Sequence, residues 1–207
     1  MENQRIAIID YGMGNVGSIK KMLSKLGYEA ILSRDTEELK ECNKYILPGV
    51  GSFENGVRQL KHCGVYDFLK KIPENSNKHL LGLCLGMQLL FEKSEEGPGT
   101  GLNLIHGEVK KFKNLDEGFK IPHMGWNFIS LREESPIIKF LDEQSRFYFV
   151  HSYYAEPLDE SNVLANTLYG NKNFASFVVK GNVYGTQFHP EKSHKFGFSL
   201  LKGFCDL

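Results

Sequence analysis

Near its start the chain carries a short apolar run rich in β-branched residues, Arg5-Ile6-Ala7-Ile8-Ile9-Asp10, closed by Gly12. That is the pattern of a strand buried on both faces. Over residues 15–26, Val16, Ile19, Leu23 and Leu26 recur at helical spacing and Gly27 stops them, which predicts an amphipathic helix. Ala30-Ile31-Leu32 predicts a second strand, and Tyr45-Ile46-Leu47 a third that runs into Pro48-Gly49-Val50-Gly51. Residues 54–71 read as one helix with Val57, Leu60, Tyr66, Phe68 and Leu69 as its apolar positions. His79-Leu80-Leu81-Gly82-Leu83 predicts a fourth strand leading straight into Cys84 and a short helix through Phe91. Strands alternating with helices call for a parallel sheet with right-handed crossovers.

After Gly107 the texture changes. Short β-like runs at 108–112, 128–131, 146–150, 175–179 and 183–188 are separated by Gly, Asn, Asp and Pro, and a helix is expected from about 197 to 205. The expected fold is therefore α/β, a mostly parallel central sheet flanked by helices with an antiparallel extension. With no Pro- or Ser-rich linker and no internal repeat, residues 1–207 are expected to form one domain.

Composition narrows the classes. Of 207 residues, 41% are hydrophobic and 24% charged, too apolar for disorder. The 25 Lys and Arg balance 25 Asp and Glu, which removes the broad basic footprint of a nucleic-acid binder. Residues 80–91, the longest nearly apolar run, are too few to span a bilayer. Met1-Glu2-Asn3-Gln4-Arg5 carries no basic region followed by a long apolar stretch, so no signal peptide is expected. Cys42, Cys63, Cys84 and Cys205 form no CxxC pair, pointing to a reducing, cytoplasmic setting. His62, His79, His106 and His194 are scattered; His123 and His151 sit in denser company, but no trio has zinc spacing, so no metal or cofactor is expected.

Three places carry candidate chemistry. Gly12-Met13-Gly14-Asn15-Val16-Gly17 matches G-x-G-x-x-G after a strand, with Asp35 further on, as in a dinucleotide-binding turn. The plainer reading is a tight strand-to-helix turn, and it is preferred. Gly82-Leu83-Cys84-Leu85-Gly86 is a nucleophile elbow: a sharp turn lifts the side chain above the sheet edge, and the following helix aims its first N–H groups at the sulfur. The same amides, Leu85 in particular, can donate to an oxyanion. In Gln187-Phe188-His189-Pro190-Glu191-Lys192, the residue before proline is extended, so His189 and Glu191 fall on one side and the carboxylate can orient the ring. A cysteine on an elbow together with a His-x-Glu pair implies acyl transfer through a thioester.

Gly82-Leu83-Cys84-Leu85-Gly86-Met87-Gln88-Leu89-Leu90 and Gln187-Phe188-His189-Pro190-Glu191-Lys192-Ser193 resemble the two active-site motifs of class I, triad-type glutamine amidotransferases. Asp10-Tyr11-Gly12-Met13-Gly14-Asn15, Pro48-Gly49-Val50-Gly51, Pro122-His123-Met124-Gly125-Trp126-Asn127 and Tyr148-Phe149-Val150-His151-Ser152-Tyr153 resemble one branch, the glutaminase subunits of imidazole glycerol phosphate synthase in histidine biosynthesis. The resemblance implies that Cys84 attacks the glutamine side chain while His189, oriented by Glu191, moves the proton. It also implies oxyanion amides from Gly49, Val50, Gly51 and Leu85. Glutamine would be held by Gln88 and the backbone around His151, Ser152 and Tyr153, with Glu96 a further candidate. It implies a heterodimer with a cyclase, a (β/α)8 barrel that receives the ammonia through a protected channel, and an interface including Met124, Trp126, Tyr148 and Phe149. A second reading, weighed because of Gly17, sends the ammonia to a sugar amidotransferase of surface-polysaccharide synthesis. A non-catalytic dinucleotide-binding module is a distant third, and a cysteine peptidase is disfavoured by Gln88.

Overall fold

The computed structural model describes residues 5–207; residues 1–4, on which the signal-peptide expectation rests, lie outside the described residues. The first half alternates as expected: β1 (Ile6–Ile9), α1 (Val16–Lys25), β2 (Ala30–Ser33), α2 (Thr36–Lys40), β3 (Lys44–Leu47), α3 (Phe53–His62), α4 (Tyr66–Lys70), β4 (His79–Leu83) and α5 (Leu85–Gln88). The second half is β-rich: β5 (Lys93–Ser94), β6 (Gly107–Lys111), β7 (His123–Phe128), β8 (Ser130–Leu131), β9 (Arg146–His151), β10 (Tyr153–Pro157), β11 (Val163–Tyr169), β12 (Lys172–Lys180) and β13 (Val183–Thr186), before α6 (His194–Cys205).

Among the described residues, one sheet runs β2-β1-β3-β4-β13-β12-β10-β6-β5, with β11 joined to β12 and β8 to β11. From β2 to β13 neighbours are parallel. From β13 through β12 and β10 to β6 they are antiparallel. β7 and β9 form a separate antiparallel pair. Period-two alternation splits the core: Ala7 and Ile9 face α3, α4 and α5 (Leu60, Leu69, Met87), whereas Ile6 and Ile8 face α1 and α6 (Ile19, Leu23, Leu200, Phe204). No helix among the described residues is long and apolar enough to cross a membrane.

The differences from expectation have local causes. The helix expected over 54–71 is two helices, because Gly64 at φ +74 ends α3 in the left-handed region and the chain restarts at Val65. The run at 128–131 is likewise the end of β7 and the separate strand β8. Helix α5 stops at Gln88 rather than Phe91. Strands β10 and β11 carried too little alternation to be legible as strands. Asp35, weighed as the acid of a dinucleotide site, caps α2 by accepting from the Glu37 amide at 2.9 Å.

A very close backbone approach lies beside β4. A Cβ on Gly86 would stand 1.9 Å from the Leu47 carbonyl oxygen, and one on Gly82 2.6 Å from the Gly86 carbonyl oxygen. A Cβ on Gly17 would meet nothing within 4 Å. Gly86→Ala is therefore expected to cost more than about 4 kcal/mol and leave little folded protein. Gly17→Ala is expected to stabilise α1 by roughly 0.5 kcal/mol. Denaturant unfolding of the two variants beside the parent checks both.

Candidate active site

The carboxyl ends of three adjacent strands build the site. Leu47 of β3 pairs with Gly82 of β4, and Leu83 of β4 pairs with Thr186 of β13. The segments that follow, 48–51, 84–88 and 187–191, are therefore neighbours although far apart in sequence. Cys84 sits between β4 and α5 at φ 53 and ψ −108, a strained position for a residue with a Cβ. Its amide donates to the Thr186 carbonyl at 2.7 Å. The elbow holds because Gly82 and Gly86 let the turn close against β3, as the clashes above require.

His189 and Glu191 meet, but not along an extended strand: the strand expected over 183–188 ends at Thr186, and Pro190–Lys192 is a 3-10 turn that starts from His189. Nδ1 of His189 lies 2.8 Å from Oε1 of Glu191, and the two side chains are 2% and 3% exposed. The other ring nitrogen, Nε2, is buried without a formed hydrogen bond and lies within reach of the Cys84 sulfur. Burial pulls the imidazole toward neutrality. Its nearness to the Cys84 sulfur and that sulfur's charge, followed by the hydrogen bond and charge of Glu191, outweigh that and raise His189 to about 10. The imidazole is thus held as a cation beside the sulfur.

The loop 48–51 lies over the elbow. A Cβ on Gly49 would be 2.8 Å from both the Gly86 nitrogen and Leu85 Cβ, so Gly49 is packed against the first turn of α5. The Leu85 amide, at the start of that helix, has no intrahelical acceptor. Tyr11, buried under this loop, donates its hydroxyl to the Pro48 carbonyl at 2.7 Å. Burial and then the Cys84 charge drive that phenol well above its usual range. A Cβ on Gly14 would meet Pro48 Cβ at 2.7 Å, so the glycine-rich turn after β1 packs against the 48–51 loop and props it. Tyr11 escaped the sequence reading, and its only signal was its place inside the Asp10–Asn15 motif.

Gln88 donates through Nε2 to the Tyr153 carbonyl and to Gln187 Oε1, each at 3.1 Å. Ser152 and Tyr153 are themselves half-buried. Glu96 caps α3, accepting from the Phe53 amide at 2.7 Å, which sets it next to the 48–51 loop. The His151 side chain is turned inward. Its Nδ1 donates to the Tyr153 carbonyl at 2.7 Å and its Nε2 lies 3.0 Å from Nδ1 of His123, whose ring stacks on Tyr169 and Phe149. Burial lowers His123 to about 4. Burial, with the neighbouring His123 and His189, lowers His151 to about 3 against the opposing Tyr153 hydrogen bond.

The β7–β9 pair borders the site, because the His189 amide donates to the Tyr148 carbonyl at 2.9 Å. On its outer face Met124, Trp126 and Phe128 are 60%, 44% and 50% exposed. Tyr148 meets Trp126 edge-on at 6.3 Å between ring centroids. Phe149, expected among the interface residues, is wholly buried: strand alternation turns it inward, away from its neighbour Tyr148. Phe128 takes its place on the outer stripe, and the alternation of Met124, Trp126 and Phe128 was the signal for it.

Residues 7–205 match the model of the family described as glutamine amidotransferase class-I. A protein of Methanococcus maripaludis named imidazole glycerol phosphate synthase subunit HisH 2 is 53% identical over 199 residues, covering 96% of this chain and 98% of its own. A Pseudomonas aeruginosa protein of the same name is 46% identical, covering 98% and 99%. The imidazole glycerol phosphate synthase subunit HisH of Geobacillus kaustophilus is 47% identical, covering 98% and 96%. The solved structure of PurLQS from Thermotoga maritima superposes with a TM-score of 0.75 at 19% identity, covering 99% and 98% of the two chains. A glutamine amidotransferase from the same organism gives 0.67 at 18%, covering 100% and 84%. At such identities the likeness is one of fold.

The His123–His151 pair sets an acid limit on stability. Unfolded histidines bind protons near pH 6.5, whereas these two do so only near 4 and 3. Their contribution is complete above about pH 6.5 and is lost as pH falls toward 4; His189, raised instead, acts only on the alkaline side. Thermal unfolding should drop by roughly 5 °C or more between about pH 7 and pH 4.5. In His123→Phe the slope should be shallower, although the variant starts from a lower melting temperature.

Proposed function

The chain belongs to the class I glutamine amidotransferase family, and from that premise we propose that it is the glutaminase subunit of an imidazole glycerol phosphate synthase in histidine biosynthesis. The observation that carries the reading is the buried His189, tied to Glu191 at 2.8 Å and held cationic beside a cysteine on a strained elbow. We read residues 1–207 as one glutaminase domain working in the reducing cytoplasm, where a thiol nucleophile stays usable.

The Cys84 thiolate adds to the side-chain amide carbon of glutamine. The oxygen of the tetrahedral intermediate takes up negative charge, which the Leu85 amide and an amide of Gly49, Val50 or Gly51 neutralise. His189 passes its Nε2 proton to the leaving nitrogen; the C–N bond breaks and ammonia departs, leaving a glutamyl thioester on Cys84. The now neutral His189 takes a proton from water, whose oxygen attacks the thioester carbon. Collapse releases glutamate and restores the thiolate–imidazolium pair. Glu191 keeps the ring oriented and supports its charge throughout. Gln88 and the backbone at 151–153 hold the amino-acid end of the substrate, with Glu96 beside the loop.

Ammonia released into bulk water is protonated and loses its nucleophilicity, so it must pass directly to an acceptor. The exposed stripe of Met124, Trp126 and Phe128, with Tyr148 at its edge, supports docking of the cyclase, a (β/α)8 barrel, on this face. A second reading, weighed because of Gly17 in the first turn of α1, is delivery to a sugar amidotransferase. Complementation of a histidine auxotroph lacking its own glutaminase subunit decides between them: growth supports the histidine pathway, and none favours the sugar partner.

Two measurements test the chemistry. Cys84→Ala should reduce glutamate formation to background, and retained turnover refutes the nucleophile. Turnover by the parent alone should be slow and should rise by on the order of 100-fold with the cyclase and its ligand, the value of one oxyanion donor. Equal rates with and without the cyclase refute partner control.

A further inference from the structure

Gln187 links the substrate side of the site to the nucleophile. It follows β13, is 0% exposed, and its backbone N–H donates to the Ser176 carbonyl at 2.9 Å. A side-chain amide has nearly the same outline either way round, so its partners decide which end carries the N–H groups. Here one partner decides for the whole chain of contacts. The Tyr153 carbonyl can only accept, so the end of Gln88 that meets it at 3.1 Å is Nε2. That nitrogen also faces Gln187 at 3.1 Å, so the facing end of Gln187 is the acceptor Oε1. The remaining end, Nε2, is thereby aimed at the Cys84 sulfur, 3.7 Å away, an ordinary length for an N–H···S hydrogen bond. Flipping either amide sets donor against donor or acceptor against acceptor.

We propose that Gln187 is a further catalytic residue, whose N–H, aimed by the Tyr153 carbonyl through Gln88, stabilises the Cys84 thiolate. A thiolate accepts a hydrogen bond far more strongly than a thiol, so a donor fixed at the sulfur favours the attacking form. The relay also has a consequence for the substrate. Both protons of the Gln88 amide are committed, to Tyr153 and Gln187, and its oxygen is left as the atom that accepts from glutamine. Substrate binding therefore acts on an amide one hydrogen bond removed from the one that touches sulfur. The inference rests on the reading of Cys84 as nucleophile.

Alkylation by iodoacetamide in the full-length chain tests it, with peptide mass mapping to separate Cys84 from Cys42, Cys63 and Cys205. Gln187→Glu keeps an oxygen toward Gln88 and replaces the donor with a carboxylate oxygen. The pH at which Cys84 alkylation is half-maximal should rise by about one unit or more, and kcat in the complex with the cyclase should fall about 10- to 100-fold with a smaller change in KM. Gln187→Leu, which removes the donor without adding charge, should shift alkylation in the same direction and serves if the Glu variant does not fold by circular dichroism. An unchanged alkylation profile in a folded variant overturns the proposal. If Cys84→Ala is inactive while Gln187→Glu alkylates like the parent, only the role of Gln187 falls; if Cys84→Ala still turns over, the nucleophile and this inference fall together.

Discussion

Close contact between the backbone of Gly86 and the carbonyl of Leu47 is the constraint on which the rest of the site depends. A strand can deliver a side chain above the edge of a sheet only if the chain reverses at once into a helix, and that reversal brings the helix's first turn against the neighbouring strand. At Gly86 the room left for a Cβ is 1.9 Å from an oxygen, which excludes every other residue. Cys84 then takes the strained φ of 53 that raises its sulfur. The strain is sustained because β4 lies between β3 and β13 and is hydrogen-bonded on both sides.

Sheet order does the remaining assembly. Because β3, β4 and β13 are parallel neighbours, their carboxyl ends put an amide-rich loop, a thiol and a His–Glu pair within one small volume, as open α/β sheets do for ligands generally. The surroundings then divide the histidines by charge. His189 is buried against a carboxylate and a thiol and is held as a cation. His123 and His151 are buried against each other and aromatic rings and stay neutral, serving as fixed hydrogen-bonding groups behind Tyr153. One residue type, in two adjoining environments, does two different jobs.

The β7–β9 pair ties this chemistry to the outside of the molecule. Its backbone bonds His189 through Tyr148, its inner face carries His123 and Phe149, and its outer face shows Met124, Trp126 and Phe128 to solvent. Two strands with one buried and one exposed face thus place an exposed apolar stripe one residue layer from the His–Glu pair.

Much of this was legible in the chain because the determining features are local. Alternation of apolar runs with helical spacing set the parallel half, the paired glycines around Cys84 marked the elbow, and the His-x-Glu spacing marked the ring and its carboxylate, although a 3-10 turn at Pro190–Lys192 and not an extended strand brings them together. The break at Gly64 and the weak alternation of β10 and β11 are local, yet neither shows in the apolar pattern; the inward turn of Phe149 was not legible, since which face of β9 is buried depends on partners that only the folded chain supplies. The same holds for Tyr11 under Pro48 and for the amide chain from Tyr153 through Gln88 and Gln187 to Cys84. Which way a glutamine side chain points is decided by a carbonyl from another strand, and no pattern along one strand records it. Sequence by itself determined which groups could react. Tertiary structure decided how they are aimed, because hydrogen-bond direction is a property of neighbours in space.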